Sequence, residues 1–193
     1  MDEQRAIQLC VKHHDPVGFE FLVQKYRREA FVHAFAMLGN QEDALDACQD
    51  SFAKAYSAIP RLPTLPRFYP WFYCILRNRC FNLIERRQTS ERYREVQQHE
   101  TSLAVDTVTP GTVLESREEQ QRVQRALASL KPEHREILVM KYVQEHRYEE
   151  IAGLLGIPRG TVMSRLYHAR MALREEYLKL DRDMARSSPE QAT

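Results

Sequence analysis

The chain lacks the features that would place it in a membrane or staple it with disulfides. No apolar run approaches the roughly 20 residues that a helix needs to span a bilayer. The opening MDEQRAIQLC carries acids where a secretory leader needs a basic start and an apolar core. A cytoplasmic protein without membrane insertion is therefore expected. The four cysteines, Cys10, Cys48, Cys74 and Cys80, show no CxxC spacing, so no disulfide framework is implied. Cys10, His13 and His14 can share a helical face, but no fourth ligand lies near, and neither a metal nor a cofactor is expected. No stretch alternates with strand period, and no internal repeat is present. The acids lie on a regular helical segment away from any histidine pair, which leaves no constellation for hydrolysis and argues against an enzyme.

What is there is enough for folded domains: 193 residues, 43% hydrophobic and 28% charged, suffice for one core or two small ones. A formal net charge of +1 hides a segregation along the chain. No Lys or Arg occurs between Arg28 and Lys54, where Glu42, Asp43, Asp46 and Asp50 form an acidic block. Arg77, Arg79, Arg86, Arg87, Arg92 and Arg94 form a basic one, and no acid occurs between Glu150 and Glu175. One acidic surface and two basic ones suggest two kinds of partner.

The acid-free run belongs to the segment YEEIAGLLGIPRGTVMSRLYHARMALR, Tyr148 to Arg174, which reads as a helix-turn-helix. Glu149 and Glu150 suit a first helical turn, Gly156 supplies the turn, and Pro158 suits the start of a second helix near Arg159. At 100° per residue, Val162, Leu166, Ala169 and Leu173 fall in one stripe that must pack inward. Gly160, Ser164, Tyr167 and Met171 then point outward, flanked by Thr161, Met163 and His168. Arg159, Arg165, Arg170 and Arg174 are placed to reach phosphates beside a groove.

The remainder reads as further helices. Residues 1–14 form one, and Asp15-Pro16 caps the next, which carries Phe19, Leu22, Val23, Tyr26, Ala30, Phe31, Ala34, Phe35 and Leu38 to a stop at Gly39. Asn40 and Asp43 open a third, with Leu45, Cys48, Phe52 and Tyr56 on one face and the acids opposite. Pro60, Pro63, Pro66 and Pro70 predict an ordered, non-helical loop over 60–69. A helix from about Pro70 follows, packing Trp71, Phe72, Ile75, Leu76 and Leu83 inward and presenting Arg77, Asn78, Arg79, Asn82, Arg86 and Arg87. Residues 88–112 turn polar and read as a tether. Thr112 with Glu115 opens a helix through Val123, Leu127 and Leu130, and Pro132 starts another with Ile137, Leu138, Met140 and Val143 in its core. The expected fold is all-α: helical domains over 1–87 and 113–180, a flexible polar linker at 88–112, and a polar tail over 181–193.

Three segments in this order resemble the extracytoplasmic-function (ECF) sigma factors of bacterial RNA polymerase. Asn40-Gln-Glu-Asp43-Ala-Leu-Asp46-Ala-Cys-Gln49-Asp50-Ser-Phe52 is similar to that family's acidic helix, Phe68-Tyr-Pro-Trp71-Phe-Tyr-Cys-Ile75-Leu-Arg-Asn78 to its tryptophan element, and the helix-turn-helix to its C-terminal element. The resemblance covers nearly all of residues 15 to 178. It implies that Asp43, Asp46, Gln49 and Asp50 dock on the clamp helices of core RNA polymerase. It also implies that the loop Arg61 to Tyr69 captures an unpaired promoter base, with Phe68 and Tyr69 stacking on it and Arg77, Asn78, Arg86 and Arg87 holding the backbone. Upstream promoter DNA would be read by Ser164 and Tyr167 at base edges, with Arg159 and Arg165 on phosphates and Thr161, Met163, His168 and Arg170 beside them. Met163 and His168 stand where family members often carry basic residues, so the upstream sequence is expected to be unusual. The family makes an anti-sigma factor a further expected partner. The competing reading is a free-standing helix-turn-helix regulator, which leaves the Trp71–Asn78 segment unexplained.

Overall fold

The computed structural model describes residues 1–13, 15–62, 65–97 and 114–187. His14, Pro63, Thr64, Thr112 and most of the expected linker and tail lie outside them. Among the described residues there are eight α-helices and no strand: α1 (Glu3–Gln8), α2 (Pro16–Leu38), α3 (Gln41–Ala58), α4 (Phe68–Gln97), α5 (Leu114–Ser129), α6 (Pro132–Leu138), α7 (Tyr148–Leu155) and α8 (Arg159–Ser187). Short π-helical turns extend α1 through His13 and α6 through Val143, and a 3₁₀ turn, Ile59–Arg61, follows α3.

Local chemistry sets most helix ends. The Asp15 carboxylate accepts from Val17 N–H at 2.9 Å, and the Asn40 side chain accepts from Asp43 N–H at 3.1 Å. Gly39 and Gly156 end α2 and α7 in the left-handed region, at φ 70° and 64°. The α4 helix begins at Phe68, two residues before the expected start, and runs to Gln97, well into the expected tether. Likewise α8 continues past Leu180 to Ser187.

In the N-terminal half, α2, α3 and α4 pack on one another, with α1 laid along α2. An aromatic cluster fills the space between them: Phe52 stacks on Phe72 with ring centres 4.3 Å apart, Phe72 on Phe68 at 5.4 Å, and Phe68 on Tyr26 at 5.7 Å. In the C-terminal half, Ile137, Met140, Ile151, Val162, Leu166 and Ala169 are buried where α6, α7 and α8 meet. Val143, expected in that core, is 50% exposed. The π turn inserts an extra residue into the helical register and so swings it outward.

The two halves touch directly. Glu136, fully buried, accepts from Tyr73 Oη at 2.7 Å and from Arg77 Nε at 2.6 Å. Arg135, also buried, donates to the Leu127 and Met37 carbonyls at 2.7 and 2.6 Å and to the Ala128 carbonyl. It thereby ties the ends of α5 and α2 together. His33 Nδ1 lies 2.9 Å from Gln144 Oε1, and its ring packs edge-on against Tyr73.

Burial pushes the His33 imidazole down to about 4, from an ordinary value near 6.5, against the raising effect of its hydrogen bond to Gln144 and with smaller lowering from His146 and Arg77. A histidine held neutral by the fold stabilises it fully above pH 6.5 and progressively less as pH falls towards 4. The expected outcome is a loss approaching roughly 3 kcal/mol near pH 4 from this group alone. Urea unfolding of the parent and of His33→Gln across pH 7.5 to 4.5 measures it, with a flatter profile expected for the variant.

Candidate nucleic-acid and polymerase interfaces

The second helix of the helix-turn-helix sits as its sequence demands. The Pro158 carbonyl accepts from Val162 N–H at 3.1 Å, and the Glu150 carboxylate reaches back to Arg147 N–H at 2.7 Å to cap α7. Val162, Leu166 and Ala169 are buried, whereas Gly160, Met163, Ser164, Tyr167, His168, Arg170, Met171 and Arg174 are exposed. Thr161 and Arg165 are half-buried beside that face. Met163, Tyr167 and Met171 are each about half exposed on a single helix face. Such a cluster suits contact with thymine methyl groups better than permanent solvation. The Ser164 hydroxyl donates back to the Thr161 carbonyl at 3.1 Å, which leaves its lone pairs free to accept. Arg159 pairs with Glu149 at 3.1 Å with both side chains more than 60% exposed, a contact that a phosphate can displace at little cost.

The start-proximal candidates divide. Arg61, Arg67, Asn78 and Arg86 are exposed on the N-terminal half. Phe68 and Tyr69 are not available as base platforms: Phe68 is fully buried and Tyr69 is 7% exposed. Both belong to the first turn of α4, and Phe68, Phe72 and Leu76 repeat at four-residue spacing into the core. Arg77, expected on the outer face, instead turns to the buried Glu136. Arg87 pairs with Asp43 and donates to the Leu38 carbonyl at 3.0 Å. Arg67 is exposed in the same stretch, a charge that the aromatic pattern of the loop does not signal.

On α3, Asp46 and Gln49 are exposed. Asp50 is exposed but paired with Arg79 at 2.7 Å, and Asp43 is half-buried against Arg87. Leu45, expected to pack inward, is 44% exposed and borders a groove between α2 and α3 lined by Val23, Arg27, Arg28, Phe31 and Gln49. Phe35, stacked on Phe31 at 5.9 Å, is 41% exposed on α2. An apolar strip is thus left uncovered among the described residues, with Arg27 and Arg28 on its α2 side and the exposed Asp46 next to Leu45 on α3.

Residues 22–90 match the family description Sigma-70 region 2, and residues 120–173 match Sigma-70, region 4. The chain is 30% identical over 173 residues to the ECF RNA polymerase sigma factor SigW of Bacillus subtilis, covering 86% of this chain and 92% of that protein. The chain belongs to the ECF sigma factors. The ECF RNA polymerase sigma-E factor of Escherichia coli is also 30% identical, over 184 residues, 90% of this chain and 95% of that one. Among solved structures, the sigma factor RpoE of Bartonella quintana, in complex with the anti-sigma factor NepR, superimposes with a TM-score of 0.54 at 26% identity, covering 84% of this chain and 98% of that one. CnrH, in complex with the cytosolic domain of CnrY, shares the fold at 22% identity and a TM-score of 0.59, over 94% and 99% of the two chains. As a sigma factor the chain is a non-enzymatic initiation factor that directs RNA polymerase to promoters. The α3 candidates and Asn78 and Arg86 fall in the region 2 match, and the α8 candidates in the region 4 match. No described helix is long and apolar enough to cross a membrane.

Proposed function

We propose that this sigma factor divides its work among three surfaces. The strip on α2 and α3, with Leu45, Asp46 and Gln49 at its centre, docks on the clamp helices of core RNA polymerase; Asp43 and Asp50 shape its rim. Arg61, Arg67, Asn78 and Arg86 receive the melted start-proximal strand, with Arg77 and Arg87 joining them when their internal partners are released. The exposed face of α8 enters the major groove of the upstream element, with Ser164 and Tyr167 at base edges, Met163 and Thr161 against methyl groups, and Arg159, Arg165, His168 and Arg170 on the backbone. The observation that carries this reading is the α8 face, where polar, apolar and basic groups stand exposed together over a packed stripe. Partnership with an anti-sigma factor rests on the Bartonella quintana relative, which is held by one. The cytoplasm, where core polymerase works, is the corresponding location.

Run-off transcription with purified bacterial core polymerase on randomised promoter templates tests the reading. Transcripts that require the protein, and that are lost when Ser164 and Tyr167 are replaced by alanine, are the expected result. Transcripts insensitive to those changes would move base readout elsewhere on α8. DNA retained by the protein alone, without core binding, would reinstate the free-standing regulator.

A further inference from the structure

Glu3 lies outside the region 2 match, yet it is built into the start of α4. The residue before that helix is Arg67, whose side chain has no acceptor with which to cap the first turn. The missing acceptor comes from 65 residues upstream: Glu3 Oε1 accepts from Phe68 N–H at 3.0 Å. Its other oxygen accepts from Lys25 Nζ at 2.6 Å and from the Tyr26 hydroxyl. Next to it, Gln4 Nε2 donates to the Pro66 carbonyl at 2.6 Å, so two consecutive α1 side chains hold the end of the loop and the beginning of the helix. Tyr26, held by Glu3, stacks over both Phe68 and Tyr69, at 5.7 and 5.0 Å.

The seat of α1 is itself closely packed. It lies so close to α2 that a Cβ on Gly18 would meet the Ala6 carbonyl oxygen at 2.5 Å and Leu9 Cβ at 2.9 Å. Burial alone would raise the Glu3 carboxyl, but the hydrogen bonds from Lys25, Tyr26 and Phe68 N–H hold it below its ordinary value. It is therefore a carboxylate at neutral pH, the charge that favours a helix N-terminus.

We propose that Glu3 is a positioning residue for promoter opening: it caps α4 from a distance and, with Gln4, fixes Pro66 and Arg67 at the Phe68 turn, so that Arg67 meets unpaired DNA already placed. The inference rests on the reading of Arg61, Arg67, Asn78 and Arg86 as the residues that receive the melted strand. Without that anchor the Phe68 turn would have to be ordered during strand capture, a cost that falls on capture of the unpaired strand whether it comes from a duplex or from a bubble.

The test uses holoenzyme assembled with Glu3→Ala or Glu3→Gln, on a duplex promoter and on the same promoter with a mismatched bubble at the start-proximal element. On the duplex, Glu3→Ala is expected to lower the opening rate about fivefold to tenfold, the scale of one lost cap. On the bubble template, binding is expected to weaken by a similar factor, whereas affinity for core polymerase is expected to match the parent. Glu3→Gln keeps an acceptor for Phe68 N–H and is expected to recover part of the duplex rate. Weakened core binding, or no loss on either template, overturns the proposal. Arg61→Ala with Asn78→Ala provides the parallel arm. If that pair alone shows the loss, the reading of the strand-receiving residues stands and the role of Glu3 falls; if neither does, both fall.

Discussion

Replacing Arg77 by alanine is expected to destabilise the protein by about 3–5 kcal/mol at neutral pH, a large effect for a side chain that the sequence places on a solvent-facing basic surface. The cost falls on Glu136, which is fully buried and loses its ionic partner while keeping only the Tyr73 hydroxyl; its second oxygen has no protein partner among the described residues. Burial already raises the Glu136 carboxyl above its ordinary value, against the pull of Arg77 and Tyr73. Without Arg77 the value rises further. A carboxyl whose folded value lies above 4.5 contributes its stability below that pH and loses it as pH rises through the folded value, so the deficit of Arg77→Ala narrows towards pH 4.5. His33 feels Arg77 as well, so it does not cancel fully between parent and variant: without that neighbouring charge its value is lowered less. Adding Glu136→Leu to Arg77→Ala is expected to restore most of the loss, because an apolar side chain needs no partner there. Urea unfolding of the four proteins in this cycle, with small-angle scattering to follow separation of the halves, measures both effects. If Arg77 served only as a surface contact for a DNA phosphate, its removal would move stability by no more than about 0.5 kcal/mol.

The Arg77 contrast shows where the sequence stops being readable. The inward stripe of α8 and the caps at Asn40, Gly39 and Gly156 follow from period and local chemistry, and each is where the spacing puts it. Phe68 was misplaced by the proline-rich stretch before it, although its spacing to Phe72 and Leu76 carried the signal for a buried helical position. Val143 was misplaced because a π turn leaves no mark in the apolar pattern. For Glu3, His33, Arg135 and Glu136 no local pattern exists, since their partners lie on other elements and 59 to 111 residues separate Glu3 from Phe68, Glu136 from Arg77 and His33 from Gln144. Family resemblance supplied the division into surfaces. It did not say which acids and arginines of those surfaces are already engaged within the molecule.

That distinction determines which α3 substitution matters most for polymerase binding. Asp46→Lys is expected to weaken binding to core RNA polymerase by about 30-fold to several thousandfold, equivalent to 2–5 kcal/mol for a charge desolvated at an interface. Its effect on the free protein is expected to stay within about 0.5 kcal/mol, because Asp46 is exposed. Asp43 and Asp50 differ, since each balances an arginine of α4 within the same domain. Substituting either one alters the support of α3 as well as its outer face, so part of the binding loss will be matched by a shift in the unfolding midpoint. Leu45→Asp completes the comparison: it leaves the charges in place and removes the apolar contact that an uncovered leucine beside the Phe31 groove is placed to make. Equilibrium binding of labelled protein to core polymerase, at two salt concentrations, separates these contributions. Asp46→Lys flattens the salt dependence, whereas Leu45→Asp lowers affinity at both concentrations. A greater loss for Asp50→Lys than for Asp46→Lys would shift the docking face towards Arg79 and away from the α2–α3 groove.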